Sequence, residues 1–199
     1  MNTDNFSRLP DEKRRAVLCA GFACFAKDGY KKTAVSEIAE RAGVSKPLLF
    51  HYFESKRGMY TCLFEFAIRE ITERMRAGTE DFFESIAIAT DIKMETMRAF
   101  PGMDDFMFSL IRSREPEAAE LQKRANAAQY KAAADLLFQK VDRSRFKDGI
   151  DIDTALSLVS WVSEGYLRAD ADKERETVLT EINRYMGIVK TALYKEEYL

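Results

Sequence analysis

The sequence predicts an all-α fold, and three observations support this prediction. Apolar residues recur with the 3.6-residue period of a helix along nearly all of the 199 residues. Runs of β-branched residues, which would indicate strands, are rare. The four prolines lie near predicted helix boundaries, where proline is tolerated.

The N-terminal segment predicts three helices. The first begins after Pro10, where two acidic residues favour a helix N-terminus, and ends at Gly29. Two short helices follow, at about residues 35–42 and 46–53. The first helix is expected to bury one apolar face, formed by Val17, Ala20, Gly21, Cys24 and Phe25.

The rest of the chain predicts six further helices. The clearest is the fourth, because an apolar stripe runs from Tyr60 to Met75 at helical spacing. Pro101-Gly102 and Asp148-Gly149 predict breaks in the helical pattern. We place the remaining helices at about residues 80–98, 103–110, 116–141, 152–169 and 173–195.

Composition argues against several classes of protein. Three cysteines at irregular spacing predict a reduced, cytoplasmic protein, and no apolar run is long enough for a membrane span. A single histidine, His51, provides no metal-ligand set. Neither a Gly-x-Ser-x-Gly motif nor a glycine-rich phosphate loop is present. We therefore predict a protein that is not an enzyme, holds no cofactor or metal and has no membrane contact.

The net charge of −2 conceals an asymmetry along the chain. Residues 1–57 contain 11 basic and 7 acidic residues, a balance of +4, whereas residues 58–199 have a balance of −6. A basic N-terminal segment on an acidic body favours contact with a polyanion, although ordinary fluctuation would explain the sums equally well.

Residues 35–53 have the pattern of a helix-turn-helix. Gly43 predicts a left-handed turn between two short helices, Ser45 is suited to cap the second helix, and Pro47 fits its first turn. A helix-turn-helix places its second helix in the major groove of DNA, but the same tight turn occurs in proteins that bind none. The contact between the helices is predicted to involve Ile38, Ala39, Val44 and Leu49.

Residues 29–60 carry a specific combination of positions, namely Gly29, Tyr30, Thr33, Val35, Ile38, Ala39, Ala42, Gly43, Val44, Ser45, Leu49, Phe50, Tyr52, Phe53, Lys56 and Tyr60. In combination they resemble the N-terminal signature of the TetR family of transcriptional regulators. The remaining chain resembles that family only in length and helical content. The resemblance implies a dimeric regulator with a helix-turn-helix DNA-binding domain at residues 1–56 and a helical effector-binding and dimerisation domain at residues 57–199.

The first turn of the second short helix supplies the candidate base contacts. Lys46 could donate to guanine, and Pro47 or Leu48 could contact a thymine methyl group, although Leu48 could equally be a core residue. His51 is expected to project toward the DNA backbone or into solvent. The candidate base-contacting residues are Ser45, Lys46, Pro47 and Leu48.

Candidate phosphate contacts lie on both sides of this turn. Thr33 and Ser36, at the start of the preceding helix, are suited to bind phosphate. The resemblance implies phosphate contacts for Tyr52 and Lys56. Phe50 replaces a tyrosine common in the family, and this departure puts one further phosphate contact in doubt.

Methionine and aromatic residues in the body predict a cavity for a small, largely apolar effector, with Arg98, Arg112 or Tyr130 as polar partners. Without the resemblance, a plain hydrophobic core would be the better interpretation. The candidate effector-binding residues are Phe64, Phe82, Phe83, Met97, Phe100, Met103, Phe106, Met107 and Tyr130.

The last two predicted helices are apolar on more than one face, which predicts a four-helix interface in a homodimer. A larger intramolecular core is the alternative. The candidate interface residues are Leu158, Trp161, Val162, Tyr166, Tyr185, Met186, Val189 and Leu193.

Together these observations predict a transcriptional regulator that acts as a repressor. It is expected to bind a palindromic DNA operator as a dimer and to be released by a small, largely apolar effector. Two alternatives stay open: an α-helical carrier or enzyme for apolar ligands with no DNA role, and an adaptor that binds other proteins through its helix-turn-helix.

Overall fold

The computed structural model describes residues 6, 8–125, 128–169 and 175–199, with the side chains of residues 124, 125, 128–130, 168, 169, 175, 176 and 179 excepted. Within these ranges the regular structure is helical, apart from one isolated bridge between Phe146 and Tyr194. The predicted all-α fold is therefore confirmed. In the same ranges no helix combines the length and the apolar character that a membrane span requires.

The described ranges contain ten α-helices, which we number in chain order. They are α1 (Asp11–Lys32), α2 (Val35–Arg41), α3 (Lys46–Phe53), α4 (Lys56–Glu73), α5 (Phe82–Arg98), α6 (Met103–Arg112), α7 (Pro116–Ala125), α8 (Ala128–Phe138), α9 (Ile152–Ala169) and α10 (Arg175–Leu193). Two short 3-10 helices, Arg143–Arg145 and Glu196–Tyr198, complete the regular structure of the described residues.

Several predicted boundaries differ from those observed. Gly29 interrupts α1 with φ 71° and ψ 175°, so regular helix ends where predicted, and one more turn follows. The predicted start of α5 at Glu80 is wrong. The side chain of Asp81 caps the helix by accepting hydrogen bonds from the backbone amides of Phe83 and Glu84, so the helix begins after Asp81. The predicted single helix at 116–141 is described as α7 and α8. The predicted start of the last helix, Lys173, lies outside the described residues.

The chain divides into two compact units. The first unit comprises Met1–Met75 and Thr90–Ala134, and the second comprises Arg76–Ala89 and Asp135–Leu199. This division follows packing rather than function, so the boundary after residue 56 stays a prediction.

The core of the first unit is aromatic where α1, α4 and α6 pack together. The ring of Phe106 lies 5.3 Å from that of Phe22 and 5.4 Å from that of Tyr60, and the ring of Phe25 lies 4.8 Å from that of Tyr60. A Cβ atom at Gly21 would lie 2.7 Å from a methyl group of Leu63, so glycine allows α4 to pack closely against α1. This packing fixes the helix that precedes the helix-turn-helix.

The second unit is built around Tyr194, whose hydroxyl accepts a 2.9 Å hydrogen bond from the Phe82 amide. Asp81 lies beside this pair, and one of its carboxylate oxygens accepts hydrogen bonds from Lys190 (2.9 Å) and Arg145 (3.3 Å). Burial opposes ionisation, but the hydrogen bonds from the Glu84 amide and Lys190 lower the pKa of Asp81. The aromatic cluster of the second unit consists of the rings of Phe82, Phe83, Phe138, Phe146 and Tyr194.

Candidate nucleic-acid interface

Helices α2 and α3 form a tight helix-turn-helix. Gly43 adopts the predicted left-handed conformation with φ 65°, and the Val44 amide donates a 3.0 Å hydrogen bond to the Ala39 carbonyl across the turn. Ile38 and Leu49 are buried between the helices, with 0% and 1% of their surface exposed. A glycine turn and a small apolar contact therefore hold α3 against α2.

The first turn of α3 is open to solvent. Ser45 caps it, because its hydroxyl accepts a hydrogen bond from the Leu48 amide at 3.4 Å. Ser45, Lys46 and Pro47 are exposed, and Leu48 is half-buried. The first turn of α3, which would enter a groove of DNA, is therefore stabilised by a cap from the adjacent residue Ser45.

Farther along α3, exposed and buried residues separate cleanly. His51 is exposed, and Phe50 keeps 38% of its surface, with the ammonium of Lys46 5.9 Å from its ring centre. Tyr52 and Phe53 face the interior, where the ring of Phe6 lies 5.8 Å and 4.8 Å from theirs. The outward face of α3 therefore carries an aromatic ring next to a cation, and the N-terminal residue Phe6 supports the inward face.

The candidate phosphate-binding residues before α2 differ in exposure. Ser36 is exposed. Thr33 keeps only 2% of its surface, and its hydroxyl lies 2.6 Å from the Gly29 carbonyl and 3.1 Å from that of Cys24. This geometry gives Thr33 a role in closing the turn after α1 and offers no support for a phosphate contact through its hydroxyl.

Lys56 lies against the end of α1. Its ammonium donates a 2.9 Å hydrogen bond to the Lys31 carbonyl and lies 5.0 Å from the ring centre of Tyr30. Tyr52 is 92% buried, so only the edge of this residue is available to a phosphate. Both predicted roles stay predictions.

The junction between α3 and α4 is compact. Glu54 has φ 62°, a left-handed value that turns the chain sharply after α3, and Ser55 caps α4 by accepting a 2.9 Å hydrogen bond from the Gly58 amide. A Cβ atom at Gly58 would lie 2.1 Å from the Phe53 carbonyl oxygen, so only glycine fits. The end of α3 is therefore packed directly on the first turn of α4.

The segment before α2 also receives a contact from the start of α7. One carboxylate oxygen of Glu115 accepts a 2.8 Å hydrogen bond from the Tyr30 amide, and the other accepts a 3.2 Å hydrogen bond from the Lys31 amide. Burial, together with the charges of Glu115 and Glu117, raises the pKa of Tyr60 nearby, so its phenol stays neutral.

The predicted effector-binding residues are distributed over both units. Phe82 and Phe83 belong to the second unit and pack in its aromatic cluster. Phe106 packs among aromatic rings of the first unit. The side chain of Tyr130 lies outside the described part of the chain. An effector contact stays a prediction for the whole set. The other members, all in the first unit, are Phe64, Met97, Phe100, Met103 and Met107.

The predicted dimer residues also differ in exposure. Trp161 keeps 69% of its surface, whereas Leu193 is buried. Ile188, which sequence reasoning missed, keeps 61%. The rings of Tyr166 and Tyr185 lie 5.6 Å apart and join α9 to α10. Half-buried residues make up the rest of the set: Leu158, Val162, Tyr166, Tyr185, Met186 and Val189.

Comparison with known families places the helix-turn-helix in a defined group. Residues 17–61 match a family model described as bacterial regulatory proteins, tetR family. This stretch covers the second half of α1, the whole helix-turn-helix and the start of α4.

Curated relatives extend the similarity beyond this stretch. The chain is 38% identical over 95 residues to the HTH-type transcriptional activator FasR of Mycolicibacterium smegmatis. This alignment covers 40% of this chain and 43% of FasR. It is 35% identical over 101 residues to the HTH-type transcriptional regulator RutR of Escherichia coli, covering 50% of this chain and 48% of RutR. The chain thus aligns with less than half the length of either relative.

A solved structure shares the fold over the whole length. The crystal structure of a TetR family transcriptional regulator from Chloroflexus aurantiacus has a TM-score of 0.62 and covers 98% of this chain and 100% of its own, at 21% identity. This likeness extends the shared fold to the helices that follow α4.

Proposed function

Because the chain belongs, through residues 17–61, to the TetR family of bacterial regulatory proteins, we propose that it is a transcriptional regulator that binds operator DNA as a homodimer. The observation that carries the proposal is the exposed first turn of α3, where Ser45, Lys46 and Pro47 face solvent while Leu49 and Phe53 are buried. A helix with one face fixed in the core and its N-terminal turn exposed has the geometry for insertion into a major groove.

Each exposed residue of α3 has a chemical role in this proposal. Lys46 donates to guanine O6 or N7, and the apolar surface of Pro47 or Leu48 contacts a thymine methyl group. Ser36, Tyr52 and Lys56 contact phosphates, together with the backbone amides at the start of α2. His51 lies beside the DNA backbone.

The dimer in this proposal forms through α9 and α10. Trp161 on α9 and Ile188 on α10 both leave large apolar side chains exposed, as expected of residues that a partner chain covers. Two such helices from each chain would bury these residues in a four-helix interface. A two-fold dimer reads a palindromic operator with half-sites about one helical turn of DNA apart.

We further propose that the protein is a repressor and that a small, largely apolar effector releases it from the operator. Release requires that the effector binds more tightly to a dimer whose α3 helices do not fit the operator spacing. Because the coupling is reciprocal, operator DNA must weaken effector binding by the same factor.

Selection from a random duplex library tests the proposal. The purified protein is expected to enrich a pseudo-palindromic sequence, and fluorescence anisotropy with that duplex is expected to show an affinity that falls steeply with salt. A protein that stays monomeric, or that enriches no sequence at moderate ionic strength, would contradict the proposal.

A further inference from the structure

A cavity of about 300 Å³ lies within the first unit, between α1, α4 and the segment that follows α5. Its apolar wall consists of Leu18, Phe66 and Phe100. The rings of Phe66 and Phe100 are nearly perpendicular, with their centres 4.9 Å apart. Leu18 and Phe66 belong to the core, so this wall is fixed by packing. The volume is at the lower end of the range for small-molecule sites and suits a ligand of about one or two rings.

The charged wall of this cavity has one positive charge in excess. Asp11 forms an ion pair with Arg14, with 2.7 Å between nitrogen and oxygen. Glu70 forms an ion pair with Arg74, just beyond the end of α4, at 3.2 Å. Arg15 also lines the cavity, and none of the ion pairs between described residues includes it. Because both carboxylates of the wall are already paired, the charge of Arg15 favours an anionic ligand.

The guanidinium of Arg15 is held against the aromatic wall. Its Nη2 atom donates a hydrogen bond to the Ala99 carbonyl, and its central carbon lies 5.0 Å from the centre of the Phe100 ring. A guanidinium carries five N–H groups, and within the described ranges the Ala99 carbonyl is the one acceptor that Arg15 contacts. Arg15 therefore has further donors for the two oxygens of a carboxylate, and its position beside the cavity is already fixed.

We propose that this cavity binds a small aromatic carboxylate, whose ring packs on Leu18, Phe66 and Phe100 and whose carboxylate pairs with Arg15. Two perpendicular rings offer both a face and an edge to a planar ligand, which favours an aromatic over an aliphatic skeleton. The surplus positive charge disfavours a cation, and a neutral ligand leaves the donors of Arg15 to water.

This site goes beyond the proposed function and does not depend on it. Of the residues predicted to bind the largely apolar effector, Phe100 alone lines the cavity. The cavity contacts both α1, which precedes the helix-turn-helix, and α4, which follows it.

The test compares aromatic acids with their primary amides, which keep the ring and the shape but lack the charge. Benzoate, 1-naphthoate and indole-3-acetate, and the three matching amides, are titrated into the full chain and followed by calorimetry. At least one acid is expected to bind once per chain and about fivefold more tightly than its amide. The methyl NMR signals of Leu18 are expected to shift as that acid binds, because an aromatic ring then lies against them.

Arg15→Gln, at an exposed position, removes the charge and is expected to bring the ratio of acid to amide affinity to about one. Arg15→Lys keeps the charge without the planar fork and is expected to give an intermediate ratio. Arg114→Gln, also exposed, is the matched control and should keep the wild-type ratio.

Four results would overturn the inference: no acid binds, acid and amide bind equally to the wild-type protein, Arg15→Gln keeps the preference, or the acid binds without a shift of the Leu18 methyl signals. Anisotropy with the selected duplex separates this inference from the proposed function. Acid binding in the expected pattern supports the site even if the protein selects no duplex, and duplex binding without acid binding removes the site alone.

Discussion

The carboxylate of Glu115 accepts a 2.8 Å hydrogen bond from the backbone amide of Tyr30. The two residues are 85 positions apart in the sequence, and a second bond, from the Lys31 amide, reinforces the contact. Glu115 immediately precedes α7, whereas Tyr30 and Lys31 form the turn that leads into the helix-turn-helix. A residue of the C-terminal part of the chain thus fixes the backbone from which α2 begins.

Removal of this carboxylate is expected to destabilise the protein. Glu115→Ala leaves two backbone amides without their acceptor, which typically costs about 1–3 kcal/mol of unfolding free energy. Urea denaturation measures the loss. Glu120→Ala is the control, because Glu120 forms an exposed ion pair with Arg57 whose loss is expected to cost less than about 1 kcal/mol. Equal losses in the two variants would show that the Glu115 contact does not hold the turn.

Two lysines near α3 are expected to affect DNA binding differently. Lys46→Ala should reduce the preference for the selected operator over random duplex by roughly 1–3 kcal/mol, because Lys46 lies at the exposed tip. Lys56→Ala should weaken binding to both duplexes alike, since its ammonium lies against the turn after α1 and is assigned to phosphate. Anisotropy over a salt series distinguishes these effects, with Lys123→Ala as the control. Indistinguishable results for the two variants would refute the division of roles.

Asp81 makes the stability of the second unit dependent on pH. Its pKa is lowered in the folded protein, so its ionised form contributes stability above the ordinary pKa of aspartate, and this contribution is lost as pH falls through the lowered value. At neutral pH, Asp81→Asn is expected to cost about 1–3 kcal/mol, because the hydrogen bonds from Lys190 and Arg145 lose a charged acceptor. Urea denaturation at neutral and acidic pH measures both effects.

The control for this variant is Asp148→Asn, at an exposed turn residue. The stability difference between wild type and Asp81→Asn should shrink as pH falls. A difference that stays constant over the whole acidic range would mean that ionisation of Asp81 is not its source.

Trp161 provides a test of the dimer. Trp161→Glu is expected to raise the dimer dissociation constant by at least roughly a hundredfold, because it places a charge where an apolar side chain would be buried. The folded chain should lose little stability, since Trp161 is largely exposed. Sedimentation velocity measures the change, and Leu136→Glu, at another exposed apolar position, is the control. If Leu136→Glu dissociates the dimer and Trp161→Glu does not, the interface lies elsewhere.

The helix-turn-helix could be predicted from the sequence because its determinants are local. The glycine at position 43, the cap at Ser45 and the proline at position 47 lie within a few residues of one another, and each specifies a backbone conformation by itself. The same holds for the end of regular helix at Gly29. Buried positions such as Ile38 and Leu49 follow from the periodicity.

Other features could not be predicted, because they depend on which distant segments meet. Nothing in residues 113–117 indicates that Glu115 would contact Tyr30. Phe82 and Phe106 both lie in apolar stripes, yet they pack in different compact units.

The absence of a side chain at Gly58 allows the close contact between the end of α3 and the first turn of α4. Because the Phe53 carbonyl oxygen occupies the space that a β-carbon would need, we expect a shift of the first turn of α4 to carry α3 along. Helix α4 has 18 residues and hence a length of about 27 Å. A tilt of about five degrees, pivoting at its C-terminal end, would displace the exposed tip of α3 by roughly 2 Å, more than half the length of a hydrogen bond between heavy atoms. A small rotation of α4 therefore produces a displacement of α3 that is large on the scale of a single hydrogen bond.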